Sequence, residues 1–336
     1  MERTFLFIVR SFQQSSIYTK LIGIVLALLL VPYGASRLAS PWRQLKCREL
    51  PASIVARSQP DVAATSPSSL RIGCYNIAHG RGLAESNHDG GDSAVRTERL
   101  KQIAQYLDSQ DLDVIVLNEV DFGSSWSYGV NQAEVLAQEA GFPYWTEQRN
   151  LDFRLLAWTW RFGNAILSKR PIQDAGVINL PGYAAWETVL AGKKRAHWAD
   201  VRFGDTSVRI AAVHLSHRAE EVRVASAEEL IQQADAANRP FLVLGDMNST
   251  PVDYPGHTAD AAGRNAMDLL RTKFQTCPSL QPDAEEFYTY RTDRPNRMID
   301  WILLPSSFRF DEYHVHTVEY SDHRLVSARV TWFADP

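Results

Sequence analysis

Apolar residues fall along this chain in short alternating or unbroken runs, most of them closing on a Gly, Pro, Asn or Asp cluster, and runs of strand type outnumber those with a helical period. Residues 70–80, LRIGCYNIAHG, alternate and then stop at His79-Gly80, which predicts a strand opening into the Gly/Asn/Asp-rich loop 80–92. A helix follows, because Leu100, Ile103, Ala104 and Leu107 recur at i, i+3, i+4 and i+7. The unbroken run DVIVLNEV, 113–120, predicts a buried strand, and residues 131–140 a helix with Asn131 as N-cap and Gly141 as its stop. Further strands are predicted over 163–172, ended by Pro171, and on both sides of Gly204-Asp205 in 195–217, the pattern of a hairpin. A long helix fits 219–237. Then FLVLGDMNST, 241–250, runs four apolar residues straight into an acid and an amide, a buried strand ending at a loop, and three more strands fit 298–304, 309–320 and 324–332. The first strand, helix and strand argue for α/β layering. The hairpins fit a single doubly wound parallel sheet poorly and two packed, mostly antiparallel β-sheets flanked by helices better.

Two stretches stand outside this pattern. LIGIVLALLLV, 21–31, is unbroken apolar, and 17–33 extends it with only Thr19 and Lys20 as strongly polar interruptions. At about 1.5 Å per residue this is a marginal crossing of a bilayer core of about 30 Å, helped if Lys20 snorkels. The rival reading is a cleaved secretion signal, with Gly34-Ala35-Ser36 as the small residues at the cut. The long polar lead-in containing Arg3, Arg10, Gln13 and Gln14 favours an uncleaved single-pass anchor, and the protein is expected at a membrane. Basic residues flank both ends, so orientation is not readable from charge. Residues 51–69, rich in Pro, Ser and Ala, have no sustained period and read as a tether. The expected organisation is an anchor or signal over 1–36, a linker over 37–69 and one folded domain over 70–333.

Composition narrows the class. Of 336 residues, 45% are hydrophobic and 22% charged, enough for a sizeable core. A net charge of −4 supplies no general basic field for nucleic acid. Cys47, Cys74 and Cys277 are odd in number and far apart, and do not suggest a disulfide framework or a paired-cysteine zinc site.

The chemistry lies at the strand ends. Asn76, Glu119, His214, Asp246, Asn248, Asp300 and the pair Asp322-His323 all sit at or near them. Each has a bland explanation: Asn76, Asp246 and Asn248 as turn formers, Glu119 as an edge charge, His214 as a satisfied core histidine. Their joint position has one consistent chemistry, hydrolysis of a phosphoester. Glu119, Asn76 and Asp322 offer the oxygen donors that a hard cation such as Mg²⁺ takes. Asn248 and His214 can donate to non-bridging oxygens, Asp246 is a candidate base toward water, and Asp300 is a candidate partner for His323.

YNIAHGRG, VIVLNEVD, GNAILSKRPI, AAVHLSH, LVLGDMNSTP, RMIDWILLP and YSDHRLVSARV resemble, in order over about residues 70–332, the motifs of the endonuclease/exonuclease/phosphatase superfamily. The resemblance implies a four-layered α/β sandwich and Mg²⁺- or Mn²⁺-dependent cleavage of phosphoesters. By motif, Asn76 and Glu119 resemble metal-site residues, Asp246 the water-orienting acid and Asn248 the phosphate-binding amide. His323 resembles the essential histidine, Asp300 its orienting partner and Asp322 a metal-side acid. Asn118 departs from the usual Gln before the glutamate by one methylene. His214 is similar to the histidine of the deoxyribonuclease, sphingomyelinase and related phosphodiesterase branches, whereas abasic-site endonucleases carry tyrosine there. The implied substrate is a phospholipid, a small phosphodiester or nucleic acid. A secreted or anchored nuclease and a non-catalytic membrane scaffold are the alternatives. The basic Lys193-Lys194-Arg195 can touch a phosphate headgroup or nucleic acid, with a solvated loop as the default reading. Trp158, Trp160 and Phe162, with Trp145 and Phe153 near, can face membrane, substrate or core; His79 and Arg81 flank the first loop and can touch substrate. His217 and His257 receive no role.

Overall fold

Unbroken apolar runs such as DVIVLNEV and FLVLG arise where a strand is covered on both faces, so that alternate side chains enter two different cores. The computed structural model describes residues 2–39, 44–51, 68–155, 157–185, 192–278 and 285–333, with side chains of the first stretch described over 17–35. In chain order its strands are β1 (Leu45–Glu49), β2 (Ser69–Asn76), β3 (Val114–Asp121), β4 (Tyr144–Leu155), β5 (Trp158–Ser168) and β6 (Ile172–Asn179). They continue as β7 (Arg195–Phe203), β8 (Thr206–His214), β9 (Phe241–Asp246), β10 (Asp300–Leu303), β11 (Phe308–Val315) and β12 (Val326–Trp332). The helices are α1 (Glu2–Ala39), α2 (Ser93–Ser109), α3 (Gln132–Glu139), α4 (Glu220–Ala236) and α5 (Ala266–Arg271).

The strands form a seven-stranded sheet, ordered β1-β4-β5-β3-β2-β12-β11, and a five-stranded sheet, ordered β10-β9-β8-β7-β6. Each is mixed: β2 with β3 and β8 with β9 are parallel, and the other pairs are antiparallel. Between the sheets lies one core, where Ile72, Val114, Val116 and Ile166 meet Val201, Ile210, Leu242 and Leu244. The opposite faces of the same strands are covered by helices. Ile115 and Leu117 pack under Leu100, Ile103 and Leu107 of α2 and Leu136 of α3, while Val213 and Val243 pack under Val224 and Leu230 of α4 and Met267 of α5. This is the expected four-layered sandwich. Removing one such side chain, as in Leu244→Ala, costs about 2–5 kcal/mol because the layers on both sides cannot close the gap.

The helix starts are chemically defined. Asp92 accepts from Val95 N at 2.9 Å and Asn131 caps α3 by accepting from Glu134 N. Two strand expectations are corrected. The single strand over 163–172 is two, β5 ending at Ser168 and β6 starting at Ile172, and the strand over 309–320 ends at Val315. β4 and the first half of β5 escaped the pattern because Glu147, Gln148, Arg149, Asn150 and Asp152 are buried polar residues, held by contacts such as Arg149 Nη1 to Asp152 Oδ2 at 2.8 Å. Within the stretch expected as linker, Leu45–Glu49 adds an edge strand to β4; residues 52–67 of that linker lie outside the described ones.

Within α1, Ile17–Ala35 has a mean hydropathy of 1.8 and the length and composition to cross a membrane. Its large apolar side chains from Ile17 to Val31 are exposed, whereas Pro32, Tyr33 and Gly34 are partly covered. Tyr33 meets Phe153 at the end of β4, ring centroids 5.6 Å apart.

Candidate active site

The two parallel pairs carry their C-terminal ends to one edge of the sandwich. In register, Asn76 lies beside Asn118, His214 beside Asp246, and Asp300 opposite Asp246. Asn118 ties the two sheets together beneath this edge. Its Nδ2 donates to Asn164 Oδ1 at 2.9 Å and to Val213 O at 3.0 Å, and its Oδ1 accepts from Asp246 N at 3.0 Å. The shorter amide therefore makes its own full set of contacts. Gly245, at φ 134, is the residue that permits this approach: a Cβ there would stand 2.1 Å from Val213 O and 2.8 Å from Asn118 Oδ1.

Four predicted residues meet on this platform. His323 Nδ1 is 2.8 Å from Asp300 Oδ2, and its Nε2 is 3.8 Å from Asp246 Oδ2. Asn76 Nδ2 donates to Asp246 Oδ2 at 3.1 Å and stands 3.4 Å from His323 Nε2, while its Oδ1 accepts from Ala78 N at 3.0 Å. The Asn76 amide nitrogen thus faces the acid and the histidine, while its oxygen accepts one bond from the turn that follows β2. Burial works against charge on His323, but Asp300 above all, then Asp246 and Asp322, outweigh it and lift the imidazole to about 10. Burial and the neighbouring Asp300 push the Asp246 carboxyl up to about 7. Near neutral pH the pair is therefore a carboxylate that can take a proton beside an imidazolium that can give one. Ligand atoms of Asp246, Asp300 and His323 also lie within 4.8 Å of one another, a grouping that can hold a metal ion.

A second cluster adjoins the first. In β3 the ladder to β5 slips between Leu117 and Val120, and Glu119 takes φ 52, so the bulge turns its carboxylate out of the sheet. Arg81 spans Glu119 and Asp322: Nη1 donates to Glu119 Oε2 at 3.1 Å and Nη2 to Asp322 Oδ2 at 2.9 Å. His79 Nε2 lies 3.5 Å from the same Glu119 oxygen, and its Nδ1 is 2.8 Å from Asp121 Oδ1, whose other oxygen accepts from Trp126 Nε1. Burial would raise the Glu119 carboxyl, but the surrounding positive groups, His79 first, hold it well below the usual carboxylate range. Asp121 and Trp126 were not singled out from sequence. Nothing in an apolar strand end distinguishes Asp121 until the fold brings His79 against it.

At the third edge, Lys194 Nζ is 3.1 Å from His214 Nε2, and His214 Nε2 is 3.6 Å from Asp246 Oδ2. Burial, then Lys194, hold His214 well below the ordinary histidine value, so the neutral ring accepts from the ammonium. Lys194 is thus partly buried against His214, and the default of a solvated loop is corrected for it. Asn248, at φ 48, gives its backbone N–H to Asp246 Oδ1 at 2.8 Å and its side chain to Leu215 O at 3.2 Å, while Met247 turns back into the helix-side core. Turn chemistry and site chemistry coincide at that pair. Of the aromatics, Trp145 is core, Phe162 lies edge-on to His79 at 5.2 Å, Trp160 joins Trp126 to Phe153, and Trp158 is 64% exposed.

The sequence pattern of the Endonuclease/Exonuclease/phosphatase family matches residues 73–323. No curated protein matches the chain. Among solved structures, an endonuclease/exonuclease/phosphatase from Beutenbergia cavernae superposes with a TM-score of 0.58 at 21% identity, over 80% of this chain and 73% of its own. A mannosyl-6-phosphatase from Bacteroides thetaiotaomicron gives 0.54 at 18%, over 78% and 100%, and the human Nocturnin catalytic domain with bound sulfate 0.55 at 15%, over 87% and 98%. These likenesses are of fold. The family match runs from β2 through His323 and spans both sheets, so this chain belongs to the endonuclease/exonuclease/phosphatase family.

Proposed function

We propose that the protein is a membrane-anchored, divalent-metal-dependent phosphoester hydrolase, with residues 1–36 as its anchor and 70–333 as its catalytic domain. The observation that carries this reading is the Asp246–His323 pair: two adjacent buried groups whose surroundings make one a base and the other an acid at the same pH. Glu119 and Asp322 fit a divalent cation, because two carboxylates converge on a place where they already hold one positive group. Asn76 joins this set through the free lone pair on its amide oxygen. These oxygen donors suit Mg²⁺ or Mn²⁺, which when bound neutralises charge on the phosphate. The Asp246–Asp300–His323 grouping is better read as the proton-handling site, since a metal on His323 Nδ1 would break its 2.8 Å contact with Asp300.

Asp246 accepts a proton from the attacking water as the water oxygen bonds to phosphorus. His323, oriented by Asp300, gives its Nε2 proton to the departing oxygen as the phosphorus–oxygen bond breaks. Asn76 holds the Asp246 carboxylate through its amide N–H, and Lys194 and Asn248 face the charge that develops on the non-bridging oxygens. The apolar length of α1 and its exposed side chains support the anchor. A panel of phospholipids, inositol phosphates, nucleic acids and aryl phosphodiesters, offered to the full-length chain with and without chelator, tests the reading. Chelator-sensitive turnover of at least one substrate is expected, nearly abolished in His323→Ala and Glu119→Gln; unchanged turnover in both variants refutes it.

A further inference from the structure

Arg81 makes a set of contacts that a mere structural arginine does not need. Its Nε donates to Ala84 O at 2.7 Å, which pins the base of the guanidinium to the loop between β2 and α2. Its two terminal nitrogens each reach a different acid, Glu119 of β3 at 3.1 Å and Asp322 of the bend before β12 at 2.9 Å. Those are the two carboxylates assigned above to the cation, and Asp322 is the chain neighbour of His323. The Arg81 side chain is 13% exposed, so this contact sits at the mouth of the site, not inside the core. Burial opposes its charge, yet Glu119 and Asp322 hold the proton on it more firmly than usual.

A guanidinium and a divalent cation are both satisfied by this carboxylate pair, but the Glu119 and Asp322 oxygens that accept from Arg81 cannot serve both fully at once. Besides the loop acceptors Ala84 O and Asn87 Oδ1, the latter 3.4 Å from Nη1, a guanidinium freed from carboxylates suits a phosphate, because its planar fork matches two phosphate oxygens. Rotation about the Cγ–Cδ and Cδ–Nε bonds lets the planar fork, once released from both acids, swing as a unit.

Resting on the metal-dependent reading above, we propose that Arg81 is a phosphate-binding residue kept in reserve by the metal-site carboxylates. Entry of a divalent cation between Glu119 and Asp322 displaces the guanidinium, which then pairs with non-bridging oxygens of the substrate. Metal and phosphate binding are thereby coupled through one side chain, and phosphate is held weakly until the metal has bound. Arg81 thus excludes unproductive anion binding before the site is charged.

The test measures Mn²⁺ binding by electron paramagnetic resonance on the full-length chain in detergent, and inorganic phosphate binding by calorimetry at saturating Mn²⁺. Arg81→Met is expected to bind Mn²⁺ about tenfold more tightly, equivalent to about 1.4 kcal/mol. Its phosphate affinity at saturating Mn²⁺ is expected to fall about tenfold. Arg81→Lys keeps the charge but cannot bridge two acids, so it is expected to tighten Mn²⁺ binding in part. Unchanged or weaker Mn²⁺ binding in Arg81→Met, phosphate affinity equal to wild type, or Mn²⁺ binding in Arg81→Lys equal to wild type would each overturn the proposal while leaving the metal reading intact. Absence of Mn²⁺ binding in all three chains would overturn the metal reading and this inference with it.

Discussion

Asp300→Asn isolates the electrostatic part of the site, because the amide oxygen can still accept from His323 Nδ1 while the charge is gone. Both partners are buried, at 0% and 5% exposure, and their contact is 2.8 Å. With an effective dielectric near 20 and charge centres about 4 Å apart, the lost attraction is about 4 kcal/mol, or about 3 pH units. His323 should therefore fall from about 10 to nearly the value of a free histidine. Asp246 moves the same way, since the Asp300 charge is one reason its carboxyl is raised. Histidine-labelled full-length protein in detergent, with the His323 resonance assigned from His323→Gln, reports the titration directly by NMR and needs no substrate. Stability provides an independent reading. The folded value of His323 lies above its unfolded value of about 6.5, so its contribution is full below that pH and is lost as pH rises through about 10. That decline should flatten in the variant. A His323 resonance still titrating above about pH 9 in Asp300→Asn, or near 6.5 in wild type, would refute the assignment of Asp300 as the source of the shift.

Three further outcomes follow from particular contacts. Activity toward any substrate found should rise with pH through about 7 as Asp246 ionises, and Asn76→Ala, which removes a hydrogen bond to the ionised form, should move that limb upward in a pH–rate profile. Gly245→Ala should destabilise the fold by about 2–4 kcal/mol in chemical denaturation, since its Cβ meets backbone that cannot yield; a loss below about 0.5 kcal/mol would show that β8 and β9 can part there. If α1 spans the bilayer, its Tyr33–Phe153 contact sets the β4–β5 turn at the membrane surface, and Trp158 should be quenched by brominated lipid in vesicles and not by detergent-soluble quencher alone.

How far the sequence spoke depended on which layer a residue occupies. β3 and β9 were legible because both of their faces enter apolar cores, which leaves an unbroken run with a polar end, and Glu119 and Asp246 mark those ends. β4 was not legible, because its buried positions are filled by charges satisfied in pairs such as Arg149 with Asp152, and a polar buried strand has no hydrophobic period to detect. The same limit applies at the site. His323 and Asp300 lie in motifs and were found together, but Lys194 and Arg81 sit in loops, where neither period nor spacing fixes what a long cation will reach. Their partners, His214 for one and Glu119 with Asp322 for the other, become determined only when two sheets bring remote strand ends to one edge. Motif spacing thus identifies the groups proposed for proton transfer. Long cations such as Lys194 and Arg81 come instead from loops, where length and sequence are least constrained by packing.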